Sequence, residues 1–80
     1  MKLRKNIATS EAGLIFNPGT GDSFSVNEAG RYILFILREN ISSEELRRKI
    51  SEKYEVGDMQ LERDLEDFVT MLRDYNLIED

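Results

Sequence analysis

The sequence predicts an α+β fold in which a small antiparallel sheet is followed by three helices. Short alternating segments and turn residues fill the first third of the chain, and helix caps with helically spaced apolar residues fill the rest. The 80 residues are enough for one domain, so we assign residues 1–80 to a single unit. The chain is 40% hydrophobic and has no Cys, so apolar packing has to stabilise it without disulfides.

The first two strands are predicted from weak alternation and β propensity. In "KLRKNIA", Leu3, Lys5 and Ile7 fall on one face. In "GLIFN", Ile15 and Phe16 suit a pleated surface.

A hairpin is predicted to join the second strand to the third. "NPGTGD" holds the only Pro and two of the five Gly, which is turn chemistry. The third strand, residues 23–26, alternates cleanly, with Phe24 and Val26 on one face and Ser23 and Ser25 on the other. "GTGDSF" is a hairpin turn and not a phosphate loop, because its glycines precede a strand and no Lys-Ser/Thr pair follows.

The segment "RYILFIL" is assigned to a first helix, about 28–39, by its flanks. Asn27 is a good N-cap, and Glu28 places negative charge in the first turn. Gly30 weakens this helix by about 1 kcal/mol relative to Ala. Asn40 is expected to end it in a left-handed conformation. A helix that is apolar nearly all round belongs in the middle of a domain.

The second helix begins at a capping box formed by Ser42 and Glu45. Gly57 is expected to end the pattern. The predicted buried positions are Leu46, Ile50 and Tyr54. The predicted solvent-facing positions are Arg47, Arg48 and Lys49.

The third helix is predicted over about 59–75, with Asp58 as its cap and Asn76 as its end. Leu77 and Ile78 are expected to fold back onto the core. The apolar stripe of this helix comprises Leu61, Leu65, Phe68, Val69, Met71, Leu72 and Tyr75.

The composition argues against an enzyme. Without His or Cys, the commonest acid–base group, the thiolate nucleophile and the zinc cluster are all absent. The carboxylates lack calcium-loop spacing. We therefore predict no catalytic residue, no metal site and no cofactor.

The charge argues against nucleic acid and membrane partners. The net charge is −5, whereas binding to phosphates depends on Lys and Arg. Within 59–75, five acidic residues against two basic ones give a net charge of −3, unfavourable for a DNA-reading helix. The longest apolar run has six residues, too few to span a bilayer. The absence of Cys fits a reducing, cytoplasmic location.

Three interpretations of the function remain open. A strand edge beside the third helix can accept an extended peptide as an added strand. The chain can instead be a winged-helix DNA-binding regulator, or a small protein-interaction subunit that forms a homodimer.

The sequence resembles the PqqD-like family, the precursor-peptide recognition elements of ribosomally made, modified peptides. The resemblance covers nearly the whole chain, in "GDSFSVNEAGRYILFIL", "ISSEELRRKISEKYEV" and "LERDLEDFVTMLRDYNLIE". The positions on the family pattern are Asn27, Gly30, Ile33, Tyr54, Asp64, Leu65, Phe68, Leu72 and Leu77. The chain departs from it at Leu34, where Trp is frequent, and at Asn40, where Gly is frequent.

The resemblance implies a winged-helix-like fold of three strands and three helices that does not bind DNA. It also implies a non-catalytic adaptor, a monomer or a homodimer, that binds the leader of a precursor peptide and presents the core segment to a modifying enzyme, often a radical-SAM protein. The leader is then expected to add beside the third strand and pack against the third helix. The implied peptide-binding residues are Ser23, Phe24, Ser25, Val26, Leu61, Asp64, Leu65 and Phe68. Whether Phe24 and Val26 face the groove or the core stays open, and the acidic third helix favours a leader that carries Lys or Arg.

Overall fold

The computed structural model describes residues 1–54 and 58–79, apart from the side chain of Asp58. Eight elements follow one another along this part of the chain. They are β1 (Lys2–Leu3), β2 (Ala8–Thr9), β3 (Leu14–Asn17), β4 (Asp22–Ser25), α1 (Glu28–Ile36), α2 (Ser43–Lys53), α3 (Asp58–Asp74) and β5 (Ile78–Glu79).

Strands β2, β3 and β4 form the predicted antiparallel sheet, with β3 in the centre. Ile15 of β3 pairs with Thr9 on one side and Phe24 on the other. Three helices follow the sheet, so the α+β prediction is confirmed.

The first predicted strand is wrong in its extent. Instead of one alternating segment, the chain forms two short strands, β1 and β2, in two different sheets. The Leu3 N–H donates to the Leu37 carbonyl oxygen at 2.9 Å, and the Arg4 N–H donates to that of Leu77 at 3.0 Å. Since long-range partners take these backbone groups, Lys5 is exposed in a turn and does not lie in a strand.

The predicted hairpin is confirmed between β3 and β4. The Asn17 side-chain oxygen accepts a hydrogen bond from the Gly19 N–H at 2.9 Å, which is the Asx-turn chemistry of the connection. Gly21 has a φ of 81°, which glycine adopts without steric cost.

Helix α1 begins as predicted and ends earlier. The Asn27 side chain caps it by accepting from the Gly30 N–H at 2.9 Å. At the other end, Glu39 N–H donates to the Ile36 carbonyl oxygen at 3.3 Å, a tightened i→i−3 turn that closes the helix. The expected left-handed cap at Asn40 is wrong. Among the described non-glycine residues, a positive φ occurs at Asn76 and not at Asn40. The Asn40 side chain instead accepts from the Met1 amino group at 2.8 Å.

The expectation that α1 is covered all round is also wrong. Ile33, Leu34 and Leu37 are buried, but Phe35 is 65% exposed. The helix therefore has one face in the core and another at the surface.

The second helix begins as predicted. The Ser42 hydroxyl accepts from the Glu45 N–H at 3.1 Å. Leu46 and Ile50 are buried as expected, whereas Tyr54 is half-buried.

The third helix also matches, within one residue at each end. Asn76 follows it with a φ of 56°. The break at Gly57 and the cap by the Asp58 side chain lie outside the described residues. Tyr75 was predicted in the apolar stripe, but it is 46% exposed.

The core lies where the sheet meets the three helices. Leu77 and Ile78 fold back into it as predicted, and β5 pairs with β1. Its members are Ile15, Ile33, Leu34, Leu37, Ile41, Leu46, Ile50, Leu61, Leu65, Leu72, Leu77 and Ile78.

Candidate functional site

The outer edge of β4 is open within the described part of the chain. Strand β4 pairs with β3 on one side, and no other described strand pairs with it. Such an edge presents unpaired backbone donors and acceptors in a row.

The residues that offer these backbone groups follow from the ladder. The Val26 N–H donates to the Gly13 carbonyl oxygen at 2.8 Å, so it points toward β3. Because N–H directions alternate along a strand, the N–H of Phe24 also points toward β3, whereas those of Ser23 and Ser25 point outward. Both serines have exposed side chains.

Phe24 and Val26 face the core side of the sheet. Both are half-buried and pack against the core cluster, and Phe24 lies opposite the fully buried Ile15. The Phe24 ring centroid lies 4.6 Å from that of Tyr75, just beyond the end of α3. This contact places β4 beside the C-terminal part of the third helix.

A cavity of about 260 Å³ lies along the N-terminal half of α3. The four predicted helix residues line it together: Leu61, Asp64, Leu65 and Phe68. Ser23 to Val26 do not line it, although they lead toward it. A Cβ atom added to Gly30 would lie 2.8 Å from the Cβ of Val26 and 3.3 Å from Cε1 of Phe68. Val26 directly follows β4 and Phe68 lines the cavity, so the end of β4 and the cavity meet at Gly30. We call the β4 edge and this cavity together the groove.

The far wall of the cavity was not predicted as part of the site. It is formed by the N-terminal part of α1 and the end of α2, through Asn27, Ala29, Gly30, Ile33, Ile50 and Tyr54. Gly30 carried a usable signal, because a helical glycine after a cap residue indicates a close approach by another element.

The polar groups of the groove are few. Asp64 is exposed on the rim and accepts a hydrogen bond from the Gln60 side-chain amide at 2.9 Å. The Tyr54 hydroxyl is buried, and no described residue forms a hydrogen bond with it. An unpaired buried hydroxyl costs about 1–3 kcal/mol.

Other kinds of site find little support among the described residues. Nowhere in residues 1–54 and 58–79 do three or more acidic side chains gather closely enough to hold a metal ion. None of the described helices has both the length and the apolar character that crossing a membrane requires.

The profile of the family described as coenzyme PQQ synthesis protein D (PqqD) matches residues 13–78. The chain belongs to the PqqD family. The match covers β3, β4 and all three helices, and so includes every element of the groove. A search of curated proteins found no match.

Two solved structures share the fold of this PqqD-family chain over almost its whole length. The first is TbiB1 in complex with the TbiA(beta) leader peptide, with a TM-score of 0.85 and 28% identity, covering 99% of this chain and 95% of that one. The second is lasso peptide synthetase B1 complexed with the leader peptide, with a TM-score of 0.76 and 23% identity, covering 99% of this chain and 96% of that one. At 23% identity, the second likeness establishes the shared fold alone.

Proposed function

We propose that this PqqD-family chain is a non-catalytic adaptor that binds the leader segment of a ribosomally synthesised precursor peptide. It presents the remainder of that peptide to a modifying enzyme, for which a radical-SAM protein is the candidate class. The observation that carries the proposal is the open β4 edge, which leads into an apolar cavity beside α3.

The proposed mode of binding is strand addition. The leader lies along β4, and its backbone exchanges hydrogen bonds with the outward groups of Ser23 and Ser25. Phe24 and Val26 do not contact the leader in this arrangement. Their side chains pack against the core and the end of α3 and so fix the position of the strand.

The cavity supplies the side-chain recognition in this proposal. Leu61, Leu65 and Phe68 offer apolar contact to one or two leader side chains. Its volume, about 260 Å³, lies below the roughly 300–1,000 Å³ of small-molecule sites, which favours side chains over a separate small ligand.

Two further observations support the proposal. The family match covers the groove, and TbiB1, which shares this fold at 28% identity, is bound to a leader peptide in its solved structure. The energetic demand is also modest, since micromolar affinity corresponds to about −8 kcal/mol. A short row of edge hydrogen bonds and two filled apolar sites can supply that free energy.

The substitution Ser25→Pro tests strand addition at β4 directly. Proline removes the N–H that points outward but none of the bonds between β4 and β3, and edge strands tolerate it for that reason. We expect leader affinity, measured by fluorescence anisotropy with the leader of the precursor encoded beside this chain, to fall at least tenfold.

The matched control for that test is Ser25→Ala, which keeps the backbone N–H and removes only the hydroxyl. We expect it to bind like the parent protein. Equal affinity for Ser25→Pro and Ser25→Ala, with both proteins folded by circular dichroism, would contradict strand addition at this edge.

A further inference from the structure

The outer face of α1 carries a second cavity, of about 430 Å³, which shares Tyr54 and no other described lining residue with the cavity of the groove. We call it the basic cavity, after the residues that line it: Arg31, Tyr32, Phe35, Arg38, Lys53 and Tyr54.

The basic cavity is lined by more cationic than acidic residues, although the whole chain is acidic. The protein has a net charge of −5, yet three cations gather here, together with the two carboxylates of Glu11 and Glu28. None of the three cations lies within ion-pair distance of a described carboxylate. Arg31 donates instead to the backbone carbonyl oxygen of Glu11. The cations are thus available to an acidic partner.

Aromatic rings lie close to two of these cations, Arg38 and Lys53. The Arg38 guanidinium carbon lies 5.7 Å from the centroid of the Phe35 ring, and Lys53 Nζ lies 5.0 Å from that of Tyr32. Phe35 itself is 65% exposed, although a lone apolar side chain at the surface would need no explanation. Exposed aromatics combined with arginine are the composition of the energetically important part of a protein interface.

The basic cavity and the groove lie on different faces of α1. Gly30 and Ile33 line the groove, whereas Arg31, Phe35 and Arg38 line the basic cavity at i, i+4 and i+7. A partner can therefore occupy the basic cavity while a peptide occupies the groove. An adaptor needs two such surfaces at the same time.

We propose that the basic cavity docks the modifying enzyme, through an acidic segment of that enzyme that carries an aromatic or large aliphatic side chain. The acidic groups pair with Arg31, Arg38 and Lys53, and the apolar side chain packs on Phe35. This inference rests on the proposed function, because only an adaptor requires a second partner.

The chemistry of the site is tested first with a synthetic peptide, Asp-Glu-Phe-Glu-Asp, titrated into the ¹⁵N-labelled full chain. We expect chemical-shift changes to cluster at Arg31, Phe35, Arg38 and Lys53 and to weaken as salt is raised. Arg38→Glu should reduce affinity at least tenfold. The matched control is Arg48→Glu, the same charge reversal on α2, which should change affinity less than twofold. Shifts scattered over the surface, or equal losses in both variants, would overturn the proposal.

A second experiment tests whether the modifying enzyme is the partner that docks at the basic cavity, and it uses the enzyme that modifies the cognate precursor. Arg38→Glu should weaken binding of that enzyme at least tenfold and leave leader affinity unchanged. A loss of leader affinity with unchanged enzyme affinity would overturn the proposal by assigning the basic cavity to the peptide. If the leader fails to bind even the parent protein, the proposed function fails, while the synthetic peptide still decides whether the cavity takes acidic, aromatic ligands.

Discussion

At the scale of single residues, the caps and the buried positions follow directly from local chemistry. Asn27 and Ser42 each accept the expected backbone hydrogen bond, at 2.9 and 3.1 Å. Asn40 was expected to behave in the same local way, but its side chain bonds to the Met1 amino group, a partner 39 positions away. Local rules predict a residue well when its partner is three or four positions away, and fail when the partner is distant.

Asp64 gives the residue-scale prediction about charge. It is exposed on the rim of the groove, so Asp64→Lys should weaken a leader that carries Lys or Arg near the groove about three- to tenfold. Glu66→Lys is the matched control, because it makes the same charge change on the opposite face of α3 and Glu66 does not line the groove cavity. Anisotropy titrations of both variants with parent and charge-swapped leaders measure the effect. Indifference to the sign of the leader charge would refute this assignment.

At the scale of elements, the sequence predicted three helices and a hairpin but misjudged the N-terminal strand. The helices have caps and apolar spacing that repeat over many residues, so their boundaries were accurate to within one to three positions. The first segment has only Leu3, Lys5 and Ile7 to indicate its pairing, and Lys5 proved to be exposed in a turn. Its hydrogen bonds go to Leu37 and Leu77, contacts that no local pattern encodes.

The groove could be predicted in part for the same reason. The α3 residues share one helical face, so their spacing brings them together. The opposite wall depends on how α1 and α2 cross α3, and only Gly30 hinted at that approach. Which face of the sheet Phe24 and Val26 occupy could not be predicted without the register between β3 and β4. That register places Phe24 opposite Ile15.

The C-terminal tail behaves as part of the core, and this predicts a stability effect. Leu77 is fully buried, so Leu77→Ala should lower the free energy of unfolding by about 2–5 kcal/mol. Leu14→Ala is the matched control, since the same atoms are removed from a side chain that is 50% exposed on the outer face of the sheet. We expect the control to change stability by about 0.5 kcal/mol or less. Urea denaturation followed by circular dichroism measures both, and similar losses would contradict the assigned burial.

At the scale of the whole molecule, the charge separates the adaptor from the winged-helix regulator. The fold is winged-helix-like, but α3 contains more acidic than basic residues and the chain carries a net charge of −5. The fold alone therefore does not distinguish an adaptor from a DNA-binding regulator. The acidic charge of α3, the helix that would face DNA in a winged-helix regulator, argues against DNA binding.

The corresponding prediction concerns duplex DNA. We expect no mobility shift with mixed-sequence duplexes at 50 mM salt and protein concentrations up to 100 µM, because non-specific binding requires several Lys or Arg contacts to phosphates. The same protein preparation should bind its leader, which controls for folding. A shift that disappears with added salt would revive the DNA-binding interpretation.

The central claim is that the outer edge of β4 accepts a guest backbone as one more strand. Amide hydrogen exchange, followed by NMR with and without the leader, tests it most directly at Ser23, Phe24 and Ser25. We predict that the Ser23 and Ser25 amides exchange rapidly in the free protein and slow at least tenfold with the leader bound, while the Phe24 amide is protected in both states. Ser23 and Ser25 amides that remain in rapid exchange in the saturated complex would contradict the claim.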